Sequence, residues 1–379
     1  MELLVSNQTF GSQKYPRESE FDEICNWYTE HLHGPLTAFI CIMGAFSNLI
    51  NAFILTRKSL ISPVSILLTA LATAECIKMG CYLIYSIHFY STPFFWFWRH
   101  NENSHHNYSC IMLLLILQNV GICTHFFSMS IAVYLASFRY IIIKTGKYSH
   151  LSKLFCTYRG TKCACIAIFI ISMLSTIPNS LMHDILPIEN NQTIAGYWFT
   201  ESKYANGPLK TLNFALFGIC GKLFGSFFLG ILSWLIVKNL NKAQIVAQRI
   251  RKQRRALRQR RVSLMIAVVA LSFAIAEAPQ GILLIISGMN DAFYENYYVK
   301  LGDILDLLTL ANGCVNFLLY CAMSTKFRRK FLRIFCDPLL NCKKNESEFQ
   351  SPIYISLMAN IPSNINTLSN ERSQSQTRF

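Results

Sequence analysis

Seven apolar runs, each long enough to cross a lipid bilayer, limit what this chain can fold into. They lie at Leu36 to Thr56, Val64 to Tyr90, Cys110 to Ile143, Cys163 to Met182, Thr211 to Val237, Val262 to Ser287 and Leu301 to Met323. A bilayer core of about 30 Å takes roughly 20 apolar residues in helical form. Inside hydrocarbon the backbone has only itself to bond to, so runs this long and continuous are helices. The expected fold class is an all-α membrane protein, a seven-transmembrane helix bundle. The third run exceeds what a bilayer needs, which implies tilt or an extension into water. Composition agrees: 52% of residues are hydrophobic and only 15% charged, against roughly 25% charged in a typical soluble domain.

The net charge of +15 would suggest a nucleic-acid surface in a soluble protein, but its placement points elsewhere. The segments after runs one, three and five carry 17 Lys and Arg, whereas the alternate segments carry 4, namely Arg99, Lys203, Lys210 and Lys300. Cationic loops stay cytoplasmic, so the amino end is expected outside, the carboxyl end inside, and no nucleic-acid partner is implied. Three glycosylation sequons, at Asn7, Asn107 and Asn191, fall in segments already assigned outside, while a fourth at Asn345 falls inside and is expected to stay bare. The first residues lack a cationic start followed by an apolar stretch, so no cleavable signal is expected. The chain divides into an extracellular segment 1–35, a membrane domain 36–325, a membrane-surface amphipathic helix 326–336 and a disordered cytoplasmic tail 337–379.

Fourteen cysteines would suit a disulfide scaffold, yet Cys41, Cys76, Cys81, Cys123, Cys163, Cys165, Cys220, Cys314 and Cys321 sit within apolar runs, where a thiol acts as a small hydrophobe. No Cys and His set has zinc spacing, so no metal centre is expected. No clustered Ser, His and Asp or His and Glu set marks an enzyme. The absence of an internal repeat weakens a transporter reading, in which Glu75, Lys78, Lys222 and Glu277 would form an ion path.

Gly44, Ser47 and Asn48 lie in the first run and Leu71-Ala-Thr-Ala-Glu75 in the second. Phe138-Arg139-Tyr140 ends the third, Pro279 breaks the sixth, and Asn316-Phe-Leu-Leu-Tyr320 ends the seventh. As an ordered set these residues resemble rhodopsin-like G-protein-coupled receptors. The strings from Phe273 to Ile282 and from Leu301 to Phe327 look more narrowly like invertebrate FMRFamide and myosuppressin receptors, including the nematode Srw-type serpentine group. The resemblance covers about residues 36 to 336. It implies a plasma-membrane receptor for an amidated neuropeptide, signalling through a heterotrimeric G protein, with arrestin and receptor kinases as further partners.

Several positions acquire expected roles from that likeness. Arg139 and Tyr140, with Tyr320 and Arg258 in the basic loop, would meet the G protein; interfacial snorkelling is the plainer alternative for Arg139. Phe138 replaces the usual acid before the arginine. Glu75, Ser128, Asn312 and Asn316 would form the polar cluster that holds a sodium ion or waters, with Glu75 in place of the family's Asp. The alternative for Glu75 is a pair with Lys78, three residues on and on the same helix face. Glu277, Gln280, Asp303, Asp306 and His125 are the candidate ligand contacts. An acid-lined entrance suits the guanidinium of a peptide ending in Arg-Phe-amide, and the competing reading is an internal bridge from Glu277 to Lys222.

Absences also discriminate. The third run holds no acid where amine receptors have one, and the seventh holds no Lys for a retinal Schiff base. The family's usual disulfide partner is missing from His183 to Lys210, so a Cys25 to Cys110 bridge is the remaining extracellular pairing. Cys336 and Cys342 are palmitoylation candidates. A chemosensory receptor for small environmental molecules stays open as the second reading.

Overall fold

In a computed structural model the described residues are 20–89, 107–145, 149–190, 193–205, 207–249 and 253–336. Seven helices are long and apolar enough to cross a membrane: Glu20–Leu55, Pro63–His88, Tyr108–Thr145, Tyr158–Ser180, Gly207–Asn241, Arg260–Met289 and Asn296–Met323. The seven-helix bundle expected from the apolar runs is the fold, with a short helix, Thr325–Phe331, after the seventh span. These spans, one to seven in chain order, belong to a compact unit ending at Arg328, and the described residues from Arg329 to Cys336 fall outside it.

Span three touches spans two, four, five and six, which makes it the central pillar. Its inward face carries Gln118, Thr124, His125 and Ser128, all buried. Span four is peripheral: Ile166, Phe169, Ile170 and Leu174 are exposed, as a lipid-facing helix requires. Span six continues through Pro279.

The helical boundaries extend beyond the apolar runs. Span one begins at Glu20 rather than Leu36, because a π-helical turn, Thr29–His33, joins a polar helix, Glu20–Tyr28, to the apolar helix Gly34–Leu55. That extension is fixed to the start of span seven by Lys300 on Asp22 and Phe21 against Tyr297. The sixth helix likewise starts at Gln253, within the basic loop. Span four starts at Tyr158, where the Thr157 hydroxyl accepts the Gly160 amide, a side-chain cap that stops the helix unwinding into the loop.

An antiparallel hairpin, β1 (His183–Asn190) paired with β2 (Thr193–Glu201), links spans four and five. Leu186 and Ile188 are exposed, while Phe199, 2% exposed, packs on Tyr85, Ile111 and Leu114 of spans two and three. The hairpin marks one end of the bundle and the basic loop the other. No disulfide anchors it among the described residues. Cys25 and Cys110 are both free thiols, so the bridge expected between them is not formed. Cys25 is buried on the helical extension of span one, and the Cys110 sulfur instead lies 3.8 Å from His88 Nδ1 of span two.

Candidate functional site

Below the hairpin a cleft of about 820 Å³, counting its open mouth, runs into the bundle between spans two, three, five, six and seven. Its floor and walls include Lys78, Gln118, His125, Lys222, Gln280 and Asp306. Lys222 reaches the cleft through a local irregularity of its own helix. Span five is π-helical over Ala215–Phe224, and the extra residue per turn rotates the following face, a device common at functional sites. The Lys222 side chain is thereby 3% exposed and sits 4.9 Å from the Phe217 ring centroid. Gly281 of span six allows the close approach, since a Cβ there would meet the Leu223 backbone nitrogen at 3.1 Å.

Glu277, completely buried, is the centre of the charge pattern. Its Oε2 lies 3.4 Å from His125 Nε2 of span three and 3.9 Å from Lys222 Nζ of span five. Lys222 also donates to Gln280, and Gln280 Nε2 donates to Asp306 Oδ1 on span seven at 3.3 Å. The sequence-derived contacts Glu277, Gln280, Asp306 and His125 are therefore brought together. The internal bridge to Lys222 is present beside them. Asp303 is placed differently: it faces span one, where Thr29 Oγ1 donates to it at 2.8 Å and His33 Nε2 stands 3.9 Å away. A smaller cavity between spans one, two and seven is lined by His33, Tyr85, Asp303 and Asp306.

Polar residues that the sequence reading did not select complete the wall. Asn179 near the end of span four donates to Asn119 Oδ1 at 3.0 Å and accepts from Asn213 of span five at 3.3 Å. Gln118 and Asn179 are buried and line the same cleft. The signal for them was available, since uncharged amides in mid-membrane runs need partners across helices.

A second polar centre lies deeper. Lys78 Nζ stands 2.7 Å from Glu75 Oε2, with the two side chains 2% and 0% exposed. Asn48 ties span one to span seven, its Nδ2 donating to the Gly313 carbonyl at 3.0 Å. Gly313 leaves room for the carboxylate: an added Cβ would lie 2.6 Å from Glu75 Oε2. Ser128 donates to His125 O within its own helix, and Asn312 is buried on span seven. The side chains of Asn51 and Asn316 and the Tyr320 hydroxyl have no hydrogen-bond partner among the described residues.

At the basic end Tyr140 continues the helix of span three, and Lys144 lies over its ring at 5.6 Å. Arg139 Nε has no hydrogen-bond partner among the described residues. Tyr320 is buried against Phe327 of the short helix, ring centroids 5.7 Å apart. Arg258 is helical, though its side chain lies outside the described set. So do Asn7, Asn191 and Cys342. Asn107 is described and exposed, and Cys336 ends the last helical turn.

A seven-span bundle with a cleft below the hairpin, a buried polar centre and an arginine at the basic end whose Nε has no partner among the described residues invites comparison with known sequences. The family model of serpentine-type seven-transmembrane G-protein-coupled chemoreceptors called Srw matches residues 35–338. This chain is a member of the Srw family. The receptor is 26% identical to the G-protein coupled receptor dmsr-1 of Caenorhabditis elegans, over 86% of this chain and 72% of that one. It is 23% identical to sex peptide receptor-related protein 2 of the same nematode, covering 80% and 71% of the two chains. The FMRFamide receptor of Drosophila melanogaster is 23% identical, covering 80% of this chain and 53% of its own length. The resemblance drawn from the motifs thus holds, and the chain is a multi-pass membrane receptor of a family that is not an enzyme family.

Proposed function

We propose that the receptor binds an extracellular amidated peptide of the FMRFamide type in the cleft beneath the hairpin and activates a heterotrimeric G protein at the basic end. The observation that carries the reading is the Gln280 and Asp306 pair on spans six and seven, which lines the cleft together with His183 of the hairpin. A peptide guanidinium arriving at Asp306 would gain a charge-assisted hydrogen bond. A terminal amide, acting as both donor and acceptor, matches Gln280 and the Lys222 ammonium. Relatives named for the FMRFamide and sex peptide receptors support a peptide ligand. The charge asymmetry of the loops supports an external hairpin and an internal basic loop.

In this reading the peptide competes for the contacts that join span five to spans six and seven. It must bind the open arrangement more tightly than the closed one, since equal affinity shifts nothing. Opening at the basic end then presents Arg139, Tyr140, Tyr320 and the Arg258 loop to the G protein. The test is a panel of amidated and free-acid peptides applied to expressing cells, with G-protein activation as readout. Amidated Arg-Phe peptides should activate at lower concentration than their free acids, and Asp306→Ala should weaken them by tenfold or more. Responses blind to both changes would remove the proposal. The second reading, a receptor for small environmental molecules, draws on the chemoreceptor character of the matched family. A panel answered by small organic compounds and by no peptide would favour it.

A further inference from the structure

We infer that the Lys78 ammonium is the resident counter-ion of Glu75, so the deep polar centre takes no free monovalent cation and the receptor is indifferent to sodium. A fully buried carboxylate in a membrane bundle needs a positive charge or a proton. Here the positive charge is covalently supplied. Glu75 and Lys78 are three residues apart on span two, hence on one face of one helix, and their charged atoms are 2.7 Å apart. A tethered ammonium in register competes with dissolved cations without loss of translational freedom, whereas an ion from solution must be dehydrated and immobilised.

The surroundings leave the carboxylate little choice of partner. A Cβ at Gly313 of span seven would lie 2.6 Å from Glu75 Oε2, so span seven closes one side. Ser128 gives its hydroxyl to its own helix, and Asn48 gives its amide protons to the Gly44 and Gly313 carbonyls. Donation leaves the lone pairs of these oxygens in place, and Asn48 Oδ1 has no hydrogen-bond partner among the described residues, so it is the ammonium that stands between the carboxylate and a dissolved cation. The longer side chain of Glu over Asp also brings the carboxylate to the ammonium. Because Lys78 lines the floor of the ligand cleft as well, the same cation faces both centres.

The inference is independent of ligand identity and is tested on full-length receptor in detergent. Thermal unfolding is measured as sodium chloride is exchanged for potassium or N-methylglucamine chloride at constant ionic strength. Wild type should show no sodium-specific shift. Lys78→Gln, which frees the carboxylate, should acquire a saturable sodium-specific stabilisation, and the double variant Glu75→Gln with Lys78→Gln should lose it. If Lys78→Gln does not fold, the double variant should be recovered at higher yield than that single variant, because neutralising both partners removes the stranded charge. A sodium-specific shift in wild type would overturn the inference. So would a folded Lys78→Gln receptor that ignores sodium, or a double variant no better recovered than an unfolded single one.

Discussion

The two ends of the bundle handle buried polarity differently, although neither is saturated: at the cleft Glu277 Oε1 and Oε2, His125 Nε2 and Thr309 Oγ1 also lack hydrogen-bond partners among the described residues. Beneath the hairpin, Glu277, His125, Lys222, Gln280 and Asp306 join four spans through contacts between helices. Toward the basic end, Asn51, Asn316, Tyr320 and Arg139 all present buried polar atoms without hydrogen-bond partners among the described residues. Groups left unmatched in this way cost free energy until a partner arrives. The comparison teaches where each end stores its capacity to change. The cleft changes by exchanging one set of ion pairs for another, and the basic end by finding partners it lacks in this conformation.

Breaking a cross-helix pair should give the largest effect. Lys222→Met leaves Glu277 with His125 as its remaining close partner, and removing one member of a buried pair costs about 3–5 kcal/mol. Surface expression should fall severely, while Lys222→Met combined with Glu277→Leu should regain much of it; flow cytometry of a tagged receptor checks both. The next largest effect tests the lid over the cleft. Phe199→Ala empties a site 2% exposed, at a cost of about 3–5 kcal/mol for a buried aromatic, lessened here by the hairpin's freedom to settle. Thermal unfolding should drop by several degrees, with the hairpin becoming protease-sensitive before the bundle. The smallest effect belongs to the thiols. Replacing Cys25 and Cys110 together by Ser should leave the unfolding midpoint unchanged, and mass spectrometry of the unreduced protein should find no crosslink between them.

The bundle was legible in the sequence because lipid imposes one requirement, a saturated backbone over about 20 apolar residues, and seven runs meet it. The boundaries were less legible for the same reason. Glu20–Tyr28 and the basic start of the sixth helix continue spans that hydropathy places elsewhere, and they are set by helix contacts such as Lys300 on Asp22. The hairpin was invisible because Phe199 and Tyr197 acquire their core only from spans two and three. At the site, Glu277, Gln280, Asp306 and His125 announced themselves as polar residues in apolar runs. Asp303 did too, but helical spacing alone could not say that it turns to Thr29 and His33. Lys222 depended on the π-helical stretch of span five, which shifts the face by an amount that the sequence does not encode locally.

The most direct test measures both ends on the same preparations: binding of a labelled amidated peptide and peptide-stimulated nucleotide exchange on purified G protein, for wild type, Asp306→Ala and Arg139→Ala. Asp306→Ala should lose binding and exchange together. Arg139→Ala should keep binding within a few-fold and lose exchange. An Arg139→Ala receptor that still drives exchange, or an Asp306→Ala receptor that binds like wild type, would contradict the division of labour between the cleft and the basic end.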